Sequence, residues 1–319
     1  MSEIVRVRDA HVHFGEARAV DGVSLDVHPA EVLALVGESG SGKTTLIRAI
    51  QGLQPLTSGA IEDQGETKIG GRRRRRVPHD IQMVFQDPTG ALNPRHTIYD
   101  IVAEGLRIRG DRRDEADRVG EALSRAGLRP PERFTGRYPH EISGGQRQRV
   151  VIAGAMVMSP RLLLADEPVA SLDASIRGEV LGLMRSLVDD TGLSIVAVTH
   201  DLGLAWNIAD RIAVMYLGRV VEIGTTEDVL EHPTHPYTRA LLSVVPEMGR
   251  MEQQILVGET PDPLHIPWDA ASPRCPLLAS GEAERLGVAE ACVRDDPALA
   301  GDGHQAACHA VPVQLSAKP

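Results

Sequence analysis

The sequence predicts an α/β fold, with a sheet buried on both faces, helices packed against it and an antiparallel layer leading in. Three observations predict it. Short apolar runs at 32–36 (VLALV), 81–85 (IQMVF), 161–165 (RLLLA) and 193–198 (LSIVAV) each stop at a turn, the pattern of strands with no solvent face. Stretches of helical periodicity stand between them. The third observation is the run from 31 to 50, EVLALVGESGSGKTTLIRAI, in which a buried strand breaks into a glycine-rich turn and then an apolar pattern on Leu46, Ile47 and Ile50.

Taken in order, residues 4–14 and 19–27 read as strands of the antiparallel layer. The turn that follows 32–36 has the spacing G-x-x-x-x-G-K-S/T, between a strand and a helix as that pattern requires. Gly37, Gly40 and Gly42 let the backbone curl so that N–H groups, with those of Ser39, Ser41 and Thr45, point inward, and the new helix aims its positive end at the same place. Lys43 adds a point charge for the outer phosphates, and the Thr44 hydroxyl is placed to ligate Mg²⁺. The expected ligand is a nucleoside triphosphate. Phe14, in a chain only 3% aromatic, falls on a loop before this turn. It either stacks on adenine or packs in the core, and spacing leaves both open.

Beyond the 81–85 strand, Gln86 is placed to reach a bound metal or water, or to cap a turn. Residues 97–126 read as helical, with a charged run at 111–115 on a solvated face. Ser143-Gly144-Gly145-Gln146 then opens a helix, a second anion-seeking terminus made of a hydroxyl, flexible N–H groups and a dipole end. One chain has one P-loop, so this terminus needs a phosphate from elsewhere. The 161–165 strand ends at Asp166-Glu167, two carboxylates able to take different tasks: Asp166 holding Mg²⁺, Glu167 deprotonating the attacking water. Asp173 opens the next helix with ordinary capping chemistry. His200 follows the 193–198 strand, at the edge where open α/β sheets bind ligands, and is read as a γ-phosphate contact.

Composition narrows the partners. The chain has 319 residues, 42% hydrophobic, with a net charge of −10, so no basic field draws it to nucleic acid. Arg72–Arg76 is the one basic block. No apolar run approaches the roughly 18 residues of a membrane span. All three cysteines lie after residue 270, so the fold is not built on disulfides.

Together, GESGSGKT, FQDP, ISGGQRQR, LLLADEP, SLD and VTHD stand in the order of Walker A, glutamine loop, signature, Walker B, aspartate loop and switch histidine. The chain thus resembles the ATPase subunit of an ATP-binding-cassette (ABC) transporter over residues 1 to about 245. IQMVFQDP with LNPR, and HPYTRALLSVVP, look like the oligopeptide, dipeptide and nickel importers, and more like their F-type than their D-type ATPase. The resemblance implies an ABC cassette over 1–235, with a helical subdomain at about 88–158, and an importer-type extension over 236–319.

It also implies a mechanism. Two ATPases sandwich ATP between the P-loop of one and the signature of the other. Lys43, Mg²⁺, His200 and the partner's signature neutralise the γ-phosphate, Glu167 deprotonates the attacking water, Gln86 reports nucleotide state to a membrane subunit, Phe14 stacks on adenine, and Asp173 stands in the aspartate loop. Thr44, Gln86 and Asp166 hold Mg²⁺. The implied partners are a D-type ATPase, two membrane permease subunits docked near 87–135, and an extracytoplasmic substrate-binding protein. The implied location is peripheral, on the cytoplasmic face of the inner membrane.

Three positions depart from the family pattern: Ile142 for leucine, Gly154 for arginine and Val169 for threonine. In the tail, Cys275, Cys292 and Cys308 match three of the four cysteines that sometimes hold an iron–sulfur cluster in this group, and Asp269 stands where the first would be. Three readings result: reduced thiols, a 4Fe–4S cluster completed by Asp269, or zinc on the cysteines and His309.

Overall fold

The computed structural model describes residues 3–63, 66–69, 80–243 and 274–311. Strands β1 (Val5–Phe14), β2 (Ala17–Val27), β4 (Ser58–Asp63) and β5 (Glu66–Ile69) form an antiparallel sheet in the order β2-β1-β4-β5. The second sheet contains β3 (Val32–Val36), β6 (Ile81–Val84), β7 (Leu162–Asp166), β8 (Ser194–Thr199), β9 (Arg211–Tyr216), β10 (Arg219–Thr225) and β11 (Gln305–Ala306). Its order is β11-β10-β9-β3-β8-β7-β6, with β9, β3, β8, β7 and β6 parallel. Every residue of β3, β7 and β8 is buried, as their uncharged runs require.

Helix α1 (Lys43–Gln51) follows β3, and its Leu46, Ile47 and Ile50 fill a core between the two sheets with Val5, Val7, Leu33 and Leu35. Next come α2 (Pro88–Ala91), α3 (Ile98–Arg109), α4 (Glu115–Arg125), α5 (Glu132–Thr135) and α6 (Gly144–Met156). Ile98, Val102, Leu106, Leu123, Val150 and Ala153 make a separate core for these helices. The opposite face of the second sheet is covered by α7 (Ala174–Thr191), through Val180, Leu181 and Met184, and by α8 (Leu202–Ile208). Further helices are α9 (Thr226–Glu231), α10 (Pro236–Ser243), α11 (Pro276–Ala279), α12 (Glu282–Arg285) and α13 (Ala289–Arg294).

Two expectations are adjusted. The helical stretch over 97–126 is two helices, because Gly110 and Asp114 adopt left-handed backbone (φ 75° and 48°) and the charged run turns the chain between them. Phe85 lies past the end of β6 and is 42% exposed.

The cysteine-bearing tail is stitched onto this body. β11 pairs with β10 (Glu222 with Ala306, Ile223 with Gln305). The Glu222 carboxylate is fully buried. It lies 2.7 Å from His304 Nε2 and accepts from Thr234 N, Thr234 Oγ1 and His235 N. Burial raises the Glu222 pKa, but these partners outweigh it and hold the group below its ordinary value. His304 is raised in return, chiefly by the Glu222 hydrogen bond. Leu277, Ala283 and Ala310 form a small core of their own with Cys275 and Cys308 at its margin. Asp269 and the Arg72–Arg76 run lie outside the described residues.

Candidate nucleotide site

The site starts where β3 runs out. Gly37, Gly40 and Gly42 turn the chain with φ of 150°, 81° and 100°. A Cβ on Gly37 would stand 2.1 Å from the Met215 carbonyl oxygen, and one on Gly42 2.1 Å from that of Ala19. Close approach to backbone, as well as dihedral angle, therefore requires glycine at both. Gly42 is the N-cap of α1, and no side chain caps that helix start. Its first N–H groups are left for a ligand.

Lys43 is folded into the turn. Its Nζ donates to the Gly37 carbonyl at 2.8 Å, the Glu38 carbonyl at 2.6 Å and the Ser41 hydroxyl at 3.1 Å. Burial lowers the lysine pKa, while the carboxylates of Glu167, Asp166 and Glu38 pull it upward. The Thr44 hydroxyl donates to Asp166 Oδ1 at 2.9 Å, across the sheet. Asp166 ends β7, and burial raises its carboxyl above the ordinary aspartate value. Two hard oxygen donors thus converge at the mouth of the turn, a donor set suited to a small divalent cation.

Glu167 is next in the chain, in left-handed backbone with φ 46°. Its Oε2 accepts from Gln86 Nε2 at 3.0 Å, and its Oε1 lies 3.2 Å from His200 Nδ1. Gln86 follows β6 and His200 follows β8, the strands on either side of β7. Three carboxyl ends of parallel strands therefore put their side chains on one carboxylate. The same cleft is lined by Lys43, Thr44, Thr45, Ser39, Gly40 and Ala19. Ala19 carries no sequence signal for such a place.

Phe14 is the last residue of β1, paired with Ala17 rather than lying on a loop, and is 53% exposed. That exposure removes the core-packing alternative. Asp173 occupies the N-cap position of α7, but its carboxylate makes no capping hydrogen bond. The expectation of ordinary capping there is wrong.

The signature residues stand apart. Ser143 and Gly144 are exposed at the start of α6. Ser143 Oγ accepts from Gln146 N at 3.3 Å, and Gln146 Oε1 accepts from Ser143 N at 3.0 Å, a reciprocal capping box. Gly145 is buried, and a Cβ there would meet Ile176 Cγ2 at 2.6 Å. None of the four lines the P-loop cleft. The departures from the family pattern are accommodated: Ile142 and Val169 are buried in the cores, and a Cβ on Gly154 would meet nothing within 4 Å.

Cys275, Cys292 and Cys308 are half-buried free thiols. Burial pushes Cys292 up to about 11, with Cys308 and Cys275 adding to the shift, so the three share one neighbourhood. Tetrahedral zinc at about 2.3 Å from sulfur puts its ligands about 3.8 Å apart. Among the described residues only His11, His13 and Asp21 bring three such donor atoms within 4.8 Å of one another, and there Arg219 also binds Asp21. His309 turns its Nε2 to the Asp295 carbonyl at 3.0 Å. The zinc reading is therefore not assembled in this fold.

Residues 20–170 match the family described as ABC transporter, and residues 221–278 match the oligopeptide/dipeptide transporter C-terminal region. The chain is 43% identical to the oligopeptide transport ATP-binding protein OppF of Salmonella typhimurium, over 88% of this chain and 89% of that protein. Identity to a putative peptide import ATP-binding protein of Brucella ovis is 42%, over 88% and 92%. Among solved structures, cbiO1 from Clostridium perfringens, part of the ABC transporter complex cbiONQ, superposes with a TM-score of 0.65 at 28% identity, covering 73% of this chain and 92% of that one. A dimeric ATP-binding cassette in a post-hydrolysis state, bound to ADP and phosphate, gives 0.59 at 28%, covering 70% and 98%. The chain belongs to the ABC transporter family, as an ATP-binding, ATP-hydrolysing subunit that carries the oligopeptide/dipeptide transporter C-terminal region.

Proposed function

We propose that this protein drives import of peptides, or similar small solutes, by hydrolysing ATP against two membrane permease subunits. The observation that carries the chemistry is the Glu167 carboxylate held between Gln86 and His200 at the mouth of the P-loop. ATP phosphates lie on the open N–H groups of the Gly37–Thr45 turn, and Lys43 exchanges its carbonyl acceptors for phosphate oxygens. Thr44 and Asp166, with Gln86, would hold Mg²⁺, which would neutralise charge on the phosphates. Glu167 takes the proton of the attacking water, His200 contacts the γ-phosphate, and Phe14 stacks on adenine. Ser143, Gly144, Gly145 and Gln146 close on the nucleotide held by a partner ATPase, with Asp173 at that interface. Two supports are the exposure of the Ser143 helix start and its absence from this chain's own cleft.

The partner we infer is a D-type ATPase, alongside the permeases and an extracytoplasmic substrate-binding protein; nucleic acid is not among the partners. The permeases dock near 87–135, on the helical subdomain. A groove there along α3, lined by His96, Asp100, Glu104, Arg107 and Ile108, presents an isoleucine that is 81% exposed. Among the described residues no helix is long and apolar enough to cross a membrane, which fits a peripheral place on the cytoplasmic face of the inner membrane. The cassette occupies 1–235 and the importer-type extension 236–319. Cys275, Cys292 and Cys308 are reduced thiols or, with Asp269, would be the ligands of a 4Fe–4S cluster. A brown, iron- and sulfide-containing protein from anaerobic purification supports the cluster, and a colourless, metal-free, active protein ends that reading.

Purifying the intact complex from membranes tests the function. Two multi-span permeases should co-purify, and proteoliposomes should take up a peptide only with ATP and the binding protein. Hydrolysis with no permease bound and no uptake would overturn the proposal.

A further inference from the structure

Glu38, the second residue of the P-loop, is held at three points. Its carbonyl accepts from Lys43 Nζ at 2.6 Å. Its N–H donates to the Tyr237 hydroxyl at 3.2 Å. Its carboxylate takes both ends of a guanidinium, with Arg274 Nη1 3.0 Å from Oε2 and Nη2 3.4 Å from Oε1. Two of those three contacts come from beyond residue 235. Tyr237 lies on α10, its ring 4.3 Å from that of Tyr216. The Tyr216 hydroxyl in turn sits beside the Arg274 guanidinium. Arg274 is only 10% exposed, and the next residue is Cys275, which caps α11 and packs on the small core of the tail.

We propose that the C-terminal extension is a working part of the ATP site, with Arg274 as a positioning residue that neutralises and orients Glu38 so that the P-loop accepts a triphosphate. This rests on the ATP-site reading above. The physical reason is charge. The P-loop exists to receive an anion, and Glu38 puts a carboxylate, 26% exposed, close enough for its charge to act on Lys43. Paired with both ends of the Arg274 guanidinium, its charge is offset and its direction fixed. Unpaired, it repels the triphosphate and draws on Lys43, whose ammonium already feels it. Because Arg274 directly precedes Cys275, which packs on the small core of the tail, the clamp is tied to that core, and binding at one end changes the other reciprocally.

The test is ATP affinity in the full chain. Arg274→Ala should raise the Kd for Mg–ATP about three- to tenfold, the range for a partly exposed charge contact, with turnover at saturating ATP changing less. Removing the offending carboxylate as well, in Glu38→Ala/Arg274→Ala, should bring Kd back to within about twofold of the parent, and Arg274→Lys should lie between. A purely structural Arg274 would leave the double variant no better than the single, and that result overturns the proposal, as does an Arg274→Ala Kd equal to the parent's. A second arm uses no variant: saturating ATP should slow amide hydrogen exchange over 275–281, and unchanged exchange in a chain that binds ATP also overturns it. Failure of the unsubstituted chain to bind ATP at all would instead strike the ATP-site reading itself.

Discussion

The helix starts at Gly42 and at Ser143-Gly144-Gly145 are finished differently. The one at Gly42 has no capping side chain, opens into a cleft lined by the exposed Ser39 and Gly40, and borrows only a lysine that folds back on it. The one at Ser143 satisfies its own N–H groups through a reciprocal serine–glutamine box and faces solvent. An uncapped start inside a pocket receives a ligand from its own cleft. A self-capped start on the surface is stable while empty and takes its ligand from outside. In the function proposed above, the first holds this chain's nucleotide and the second meets a partner's.

The largest expected effect sharpens the holding side. Glu167→Gln should bind Mg–ATP yet slow turnover about 100- to 1,000-fold, because the amide cannot accept the water's proton. Phosphate release and ATP-dependent dimer formation by size exclusion measure the two halves separately, and turnover within tenfold of the parent would remove Glu167 from its role. Next, Lys43→Ala should weaken ATP binding about 10- to 100-fold, the loss of charge-assisted contacts to phosphate, measured by nucleotide titration. Acidification should act more gently. Since burial raises the Asp166 pKa, its carboxyl takes up a proton at a higher pH than a free aspartate, and Mg²⁺ dependence of hydrolysis should weaken from that higher pH downward. Mg²⁺ titrations over a mildly acidic series read this directly, and an unshifted midpoint would break it.

The smallest effect attacks the comparison itself. Ser143→Ala should cost about 1 kcal/mol of stability through the lost cap, seen by thermal unfolding, while reducing hydrolysis only in sites shared with a partner. Mixed with Lys43→Ala chains, it should show coupled defects. A turnover equal to the average of the two separate proteins would mean that the two helix starts never meet on one nucleotide.

What could be read in advance was whatever is local. The P-loop, the buried runs and the carboxylate pair each announce themselves within about ten residues, and the rule that ligands gather at the carboxyl edge of parallel strands brought Gln86, Glu167 and His200 together. The break at Gly110–Asp114 was misread because a charged run looks the same on a helix face and in a turn. The attachment of the tail was invisible. Glu222 and His304 are 82 positions apart, and Glu38 and Arg274 are 236. No periodicity spans such distances, and a single glutamate in a glycine-rich turn looks like a solvent-facing choice. Phe14 was left open by spacing, and only its exposure decided against the core.

One feature of the backbone reaches past the test tube. Glu167 holds a left-handed conformation, which disfavours any side chain with a Cβ by about 1–2 kcal/mol and leaves glycine nearly indifferent. A lineage selected for heat tolerance alone would meet an easy improvement at this codon and silence its transporter in accepting it. On the mechanism proposed above, glutamate at this position trades backbone stability for turnover.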